Sequence, residues 1–299
     1  MFYNCSSLTS LVVSHFKTSK VEVMSYMFAY CSNLTSLDIS TFDTSSVYSI
    51  YGMFDGCKSL ISLDISNFKT GNLKTYTDYM FRNCEQLKSL DISGLKTQSV
   101  TSMYKMFEGC KNLENIKFGN FFDTSNVIDM SNLFYGCEKL KEIDLKRFDT
   151  SKVETMEHMF DSCSSLTSLN LVNFDTSWNK KFSYMFNNCT NLKSLNLSNF
   201  KTTLINDMSY MFSNCSSLTE INIKSFDTSA VTNMESMFES CSEMMSLDLS
   251  SFNTQKCKNF NNMFTNTNNI SVSVNSEKST NMIEQIKDFV NIVIANENK

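Results

Sequence analysis

Ten cysteines stand at positions 5, 31, 57, 84, 110, 137, 163, 189, 215 and 241, in steps of 26 or 27 residues. Each follows a phenylalanine by three positions, from Phe2 and Cys5 to Phe238 and Cys241. A fixed period of this length marks a stack of similar units, each burying its apolar face on the next. A chain of 299 residues would otherwise suggest two globular domains. The repeat overrides that prior and predicts one elongated array, a form that offers binding surface more readily than a catalytic pocket.

Residues 31–56, CSNLTSLDISTFDTSSVYSIYGMFDG, show what one unit holds. Leu37 and Ile39 alternate with Ser36, Asp38 and Ser40, the period of a strand with one buried face. Asp43-Thr44-Ser45 supplies acceptors for a turn or a helix N-cap. Val47, Ile50, Met53 and Phe54 then follow at the spacing of one face of a short helix. Threonine refills the turn slot at 18, 44, 70, 97 and onward to 254. The predicted fold is therefore an α/β repeat solenoid, leucine-rich-repeat-like, of about ten to eleven 26-residue units. Each unit would be a short parallel strand, a turn and a short helix. Two units carry an extra residue, one within 71–80 and one near Phe121-Phe122, each read as a local bulge.

Met1-Phe2 falls in register with Met27-Phe28, so the array opens in mid-repeat and a cap upstream of Met1 is expected. The solenoid is assigned to residues 1–267. Beyond Phe264 the pattern decays, with Thr267 in the slot of the next cysteine. Ile270, Val272 and Val274 alternate like a last strand. Asn281 with Glu284 resembles a capping box opening a helix with Met282, Ile286 and Phe289 on one face. A final strand over 289–294 completes the reading of 268–299 as a strand–helix–strand C-terminal cap.

Acidic and basic residues are dispersed and the net charge is −5, so no basic face for nucleic acid is visible. No apolar run approaches the ~18 residues that span a bilayer, and no basic segment followed by an apolar stretch marks a secretion signal. The cysteines form no CxxC, and His15 and His158 stand far apart, which argues against zinc. In-register side chains stacked at about 4.8 Å exceed the ~3.8 Å that Cβ atoms of a disulfide prefer. A buried ladder of small apolar thiols is the better reading. Methionine and phenylalanine recur in every unit and are read as core. No cofactor, metal or catalytic constellation is expected.

Segments such as MFAYCSNLTSLDISTFDTSSV and MFNNCTNLKSLNLSNF resemble the 26-residue repeat of bacterial surface proteins and lipoproteins, the BspA-like leucine-rich repeat group. The resemblance covers residues 1 to about 264. It implies a cell-surface or extracellular, non-enzymatic module that adheres to protein or glycan partners. The absence of a visible secretion signal and the apparently reduced cysteines keep a cytoplasmic interaction scaffold open as the alternative. A structural spacer is a further one.

Candidate contact residues lie on the outward face of the strand. Asp38, Asp64 and Asp91 stack in successive units, Lys117 interrupts them, and Asp144 follows. The column then changes to Asn170, Asn196 and Asn222 and returns to Asp248. Stacked carboxylates repel and can recruit a cation, yet the glycine-rich calcium nonapeptide is absent, so a solvated acidic stripe is the plainer reading. Lys117, Glu142, Lys146 and Arg147 mark where the chemistry of the face changes. Trp178, the single tryptophan, either anchors a partner or folds over the gap left by Asn179, which stands in a slot usually held by valine.

Overall fold

The computed structural model describes residues 1–71, 73, 74 and 76–295. It divides into two compact units, Met1–Asp149 and Thr150–Lys299. Each is a parallel β-solenoid whose successive repeats lie in register. In the first, β1 (Ser62–Asp64), β2 (Ser89–Asp91) and β3 (Asn115–Lys117) pair in chain order. Single bridges Val12–Asp38 and Ser36–Ser62 carry the ladder toward the N-terminus. In the second, β4 (Ser194–Asn196) pairs with β5 (Glu220–Asn222), and β6 (Ser246–Leu249) opens a further parallel sheet. Leu63, Leu90, Leu195 and Leu247 point inward while their neighbours face out, as alternation requires.

The helical arm of each repeat is not a helix. The spacing that reads as a helix face is instead met by consecutive tight turns. Met27 N–H donates to Met24 O, Ala29 to Tyr26 O and Cys31 to Phe28 O, each closing a turn. The intervening amides of Met24, Tyr26, Phe28 and Tyr30 donate to Ser49, Tyr51, Met53 and Asp55 of the next repeat. The second unit repeats this with Met208, Tyr210, Phe212 and Asn214. Half the amides thus bind between repeats, and none remain for an α-helical ladder. Two left-handed residues per arm enforce the pattern, such as Tyr26 (φ 55°) and Tyr30 (φ 61°), or Tyr210 (φ 57°) and Asn214 (φ 58°). They stand third in their turns, where a type II turn needs φ > 0. The second such slot, just before the cysteine, is filled by Gly56, Asn83, Gly109, Asn188 and Asn214, residues that tolerate it. The extra residue expected in 71–80 falls in an arm where Asn72 and Thr75 lie outside the described residues.

Three ladders fill the interior. Phe54, Phe81 and Phe107 stack at 5.7 Å between centroids with planes within 6°, an offset-parallel contact. Cys57 Sγ–H donates to Phe28 O at 3.2 Å, and Cys215 to Phe186 O at 3.1 Å. No disulfide joins the cysteines among the described residues, and burial pushes the Cys57 and Cys241 thiols up to about 12. The threonines do more than make a turn. Thr97 Oγ1 donates to Asp123 O at 2.7 Å and accepts Asp123 N–H at 2.7 Å, and Thr124 does the same with Asp149 at 2.8 Å. A buried hydroxyl that both donates and accepts across repeats explains why this slot holds threonine and not valine.

At the C-terminal end, β7 (Ser271–Val274) pairs with β6 and β8 (Asn291–Ile294), and α1 (Thr280–Ile286) crosses between the parallel β7 and β8. The helix begins earlier than the expected capping box. Ser279 is its N-cap, and Asn281 is engaged elsewhere. Asn281 Nδ2 donates to Thr254 O and Cys257 O at 2.6 and 2.9 Å, while its Oδ1 accepts the Thr254 hydroxyl at 2.6 Å. It closes the last rung of the threonine ladder.

Candidate functional site

The outward strand positions are places where the fold secures its own turns. Asp38 Oδ1 accepts Ser40 N–H at 3.0 Å, and Asp64 Oδ1 accepts Ser66 N–H at 2.9 Å and its hydroxyl at 2.7 Å. Asp91, Asp144 and Asp248 accept the amides of Ser93, Lys146 and Ser250 at 2.9, 3.1 and 3.0 Å. Asn170, Asn196 and Asn222 do the same with Val172, Ser198 and Lys224 at 3.2, 3.1 and 3.4 Å. These are Asx turns, which need only a side-chain oxygen. The change from aspartate to asparagine therefore preserves the turn and is not by itself a ligand boundary. Asp144 and Asn170 lie in stretches without strand pairing.

The Ser40 donors hold the Asp38 carboxyl below its usual range. At Asp91 desolvation pulls upward, but the Lys117 ammonium and the Ser93 donors outweigh it and the carboxyl stays low. Lys117 Nζ sits 2.7 Å from Asp91 Oδ2. With Asn115, Ile116, Phe118, Asp144 and Arg147 it lines an open cleft of about 360 Å³. Arg147 Nη2 donates to Asn120 Oδ1 at 2.8 Å, so both cations of the cleft have partners. In the second unit Trp178 is 60% exposed. Asn179 beside it is buried, with its amide directed at Val153 O (3.4 Å) and its oxygen accepting Lys181 N–H (3.2 Å).

One slot, two residues before the cysteine, buries a carboxylate in both units. Asp55, with a fully buried side chain, is gripped at both oxygens by Arg82 of the next repeat, at 2.9 and 2.6 Å. Arg82 also donates to Tyr30 Oη at 3.1 Å and lies 4.3 Å from the Tyr79 ring centroid. In the same slot Asp161 accepts Asn187 Nδ2 at 3.0 Å and the Ser162 hydroxyl at 2.9 Å, and its other oxygen lies 2.7 Å from His158 Nδ1. The Ser162 hydroxyl bonds the carboxylate rather than the imidazole, which is not the order of a nucleophile, base and orienting acid.

The sequence reading passed over the tyrosines. Tyr3, Tyr26, Tyr51, Tyr79 and Tyr104 form a continuous row on the turn side of the first unit, one from each successive repeat. From Tyr26 onward the centroids are 5.2, 5.3 and 5.4 Å apart with planes crossed at 70°, 73° and 80°. Tyr26 and Tyr79 occupy the left-handed slot, Tyr51 and Tyr104 the slot before it. The alternation is built in. Where Tyr26 leans over, the next repeat has Gly52, whose Cβ would come within 2.6 Å of Tyr26 Cε1; Tyr30 lies likewise over Gly56. Burial first, then the Tyr26 hydroxyl, push the Tyr51 phenol above its ordinary value, and burial does so at Tyr79. Tyr26, Tyr51, Tyr79 and Tyr104, spaced 25, 28 and 25 residues apart, were the signal available in the sequence.

Among the described residues no three His, Cys, Asp or Glu side chains converge as metal ligands do, and no helix is long and apolar enough to cross a membrane. The fold and its surfaces define a repeat-solenoid protein. More particularly, the chain belongs to the family described as "Mycoplasma protein of unknown function, DUF285", which matches residues 1–118, 114–196 and 180–298. No curated protein matches. Solved structures similar to it include a TLR13–ssRNA13 complex, at 14% identity over 91% of this chain and 48% of that one (TM-score 0.26). The pneumococcal vaccine antigen PcpA is similar at 13% identity over 89% and 78% (TM-score 0.28). The Drosophila Toll–Spätzle complex is similar at 12% over 93% and 48% (TM-score 0.27). The chain thus spans about half the length of the first and third.

Proposed function

We propose that this protein is a non-enzymatic recognition module that presents an extended repeat surface to protein or glycan partners at a cell surface. One observation carries the reading. The recurring polar side chains, threonine, cysteine and the Asx column, serve the fold itself, whereas the tyrosine row is an ordered, partly exposed aromatic array outside the phenylalanine core. Partner surfaces are enriched in such rigid aromatic groups. The likeness of the repeat to BspA-like leucine-rich surface proteins supports the location and the adhesive role. On this reading residues 268–299 cap the solenoid of residues 1–267. Lys117 and Trp178 are secondary contact points, because neither makes an Asx turn.

Protease shaving of intact source cells, followed by mass spectrometry, tests the location. Peptides of this chain released before lysis are the expected result. Peptides found only after lysis would move the assignment to an intracellular interaction scaffold. Mostly buried thiols with no disulfide among the described residues favour that second reading, since such residues suit a reducing compartment.

A further inference from the structure

We infer that the tyrosine row of the first unit is a binding site for a neutral, extended β-linked polysaccharide; this rests on the recognition reading above and names the ligand class. Three features select that ligand. The first is charge. Arg82 is paired with Asp55, and Lys105 Nζ lies 3.0 Å from Glu108 Oε2, so the cations along the row already have their anions. A polyanion would have to break these pairs, and Asp78, a further carboxylate against the row, is buried and already accepts the Tyr104 N–H. The second is pitch. Tyrosine rings recur every 5.2–5.4 Å, each crossed on the next, and the backbone slot that carries them is the same at every second repeat. An extended β-1,4-linked glycan turns its sugar ring over from one residue to the next and repeats every second residue at closely similar spacing. Each sugar would meet a ring, and the phenol hydroxyls would meet sugar hydroxyls.

The third feature is closure of the row. Proline-rich segments dock by inserting pyrrolidine rings into grooves between aromatic walls. Here successive rings touch edge to face and leave no slot, so the surface suits a ligand that lies along it. Preorganisation adds to this. Tyr26 and Tyr30 are seated over Gly52 and Gly56, and the Tyr30 hydroxyl is held by Arg82 at 3.1 Å. Little ordering cost then remains at binding.

The test is titration calorimetry of the full chain with cellohexaose, set against maltohexaose, heparin and a decaproline peptide. Binding of cellohexaose in preference to the other three is expected. Tyr26→Ala/Tyr79→Ala, which removes alternate rings of the row, should weaken it at least tenfold. Asp64→Asn on the strand face should leave it unchanged. Should the double alanine variant not fold, Tyr26→Leu/Tyr79→Leu keeps the bulk, removes ring and hydroxyl, and should show the same loss. No cellohexaose binding by folded protein would overturn the assignment. Equal binding of maltohexaose, or binding indifferent to both tyrosine variants, would do so too. Decaproline binding alone would sink the glycan while sparing the recognition reading. Cellohexaose binding by a protein that shaving finds only inside cells would sink the location and spare the site.

Discussion

In Met1–Asp149 the phenylalanines from Phe2 to Phe134 stack at 5.5–5.8 Å; in Thr150–Lys299 those from Phe160 to Phe264 stack at 5.4–5.8 Å. Thiol and threonine ladders recur in both units with the same partners. Outside, the two part company. Nine of the eleven tyrosines lie at or before residue 135, and the first unit sets its row edge to face. The second stacks His158, Tyr184 and Tyr210 face to face at 4.4 and 4.5 Å, hiding ring faces against one another. The buried Asp55 slot is answered by arginine, whereas Asp161 is answered by asparagine, serine and histidine. A stacked slot whose side chain touches its own copy in the next repeat allows little substitution. A slot at the surface can change in one unit without disturbing the other.

If the interiors are equivalent, Phe81→Ala and Phe212→Ala should cost about the same, roughly 3–5 kcal/mol each in urea unfolding. A cost twice as large in one unit would break the equivalence. The buried carboxylates should then separate the units. Arg82→Ala leaves Asp55 buried without the guanidinium that grips it and should cost about 3 kcal/mol. Asn187→Ala removes one of several neutral and imidazole partners of Asp161 and should cost about 1 kcal/mol. Equal losses would mean that the two solutions of the slot are energetically alike.

How much of this was legible depends on which groups a residue serves. The period, the inward strand leucines and the phenylalanine and cysteine columns could be read because apolar burial leaves a spacing in the sequence. The arm was misread for the same reason. Val47, Ile50 and Met53 fall three apart whether the amides close α-helical rings or successive turns, and apolar spacing is blind to where the amides go. Glycine or asparagine before the cysteine, as at Gly56, Asn83 and Asn188, was the sign that a helix could not continue. The outward aspartates were identified by position, but their use in Asx turns depends on the amide two residues on. The tyrosine row escaped because its slot shifts by one in alternate repeats, which dilutes a fixed-period search.

A buried carboxylate of the first unit sharpens the comparison further; the second unit has Glu157 and Glu235 in the same slot, both less buried. Asp78 stands in the tyrosine slot of its repeat, and burial pushes its carboxyl up to about 6 although Ser102 and the Tyr104 N–H donate to it. Its folded value lies above the ordinary 3.8, so folding favours the protonated form. The contribution is complete below that ordinary value and is lost as pH rises through about 6. Asp78→Asn keeps the acceptor for Tyr104 and removes the charge. It should raise the melting temperature at neutral pH and flatten the loss of stability between about pH 4 and 6. Melts of both proteins across that range measure it, and an unchanged pH profile would place the titration elsewhere.

The smallest effect decides what the strand face is for. If Asp64 and Asn196 serve only their turns, the two residues are exchangeable, because each needs one oxygen to accept the amide of Ser66 or Ser198 at 2.9 or 3.1 Å. Asp64→Asn and Asn196→Asp should each fall within about 0.5 kcal/mol of the parent. Asp64→Ala and Asn196→Ala lose the acceptor and should each cost about 0.5–1.5 kcal/mol. A strand face built to hold a cation would behave differently. Adding calcium would raise the melting temperature of the parent and not of Asp64→Asn, since the amide keeps the turn but not the charge. No calcium effect on either protein is expected: the carboxylate column is then the edge of a row of turns, and the chemistry that distinguishes one unit from the other lies on the tyrosine side.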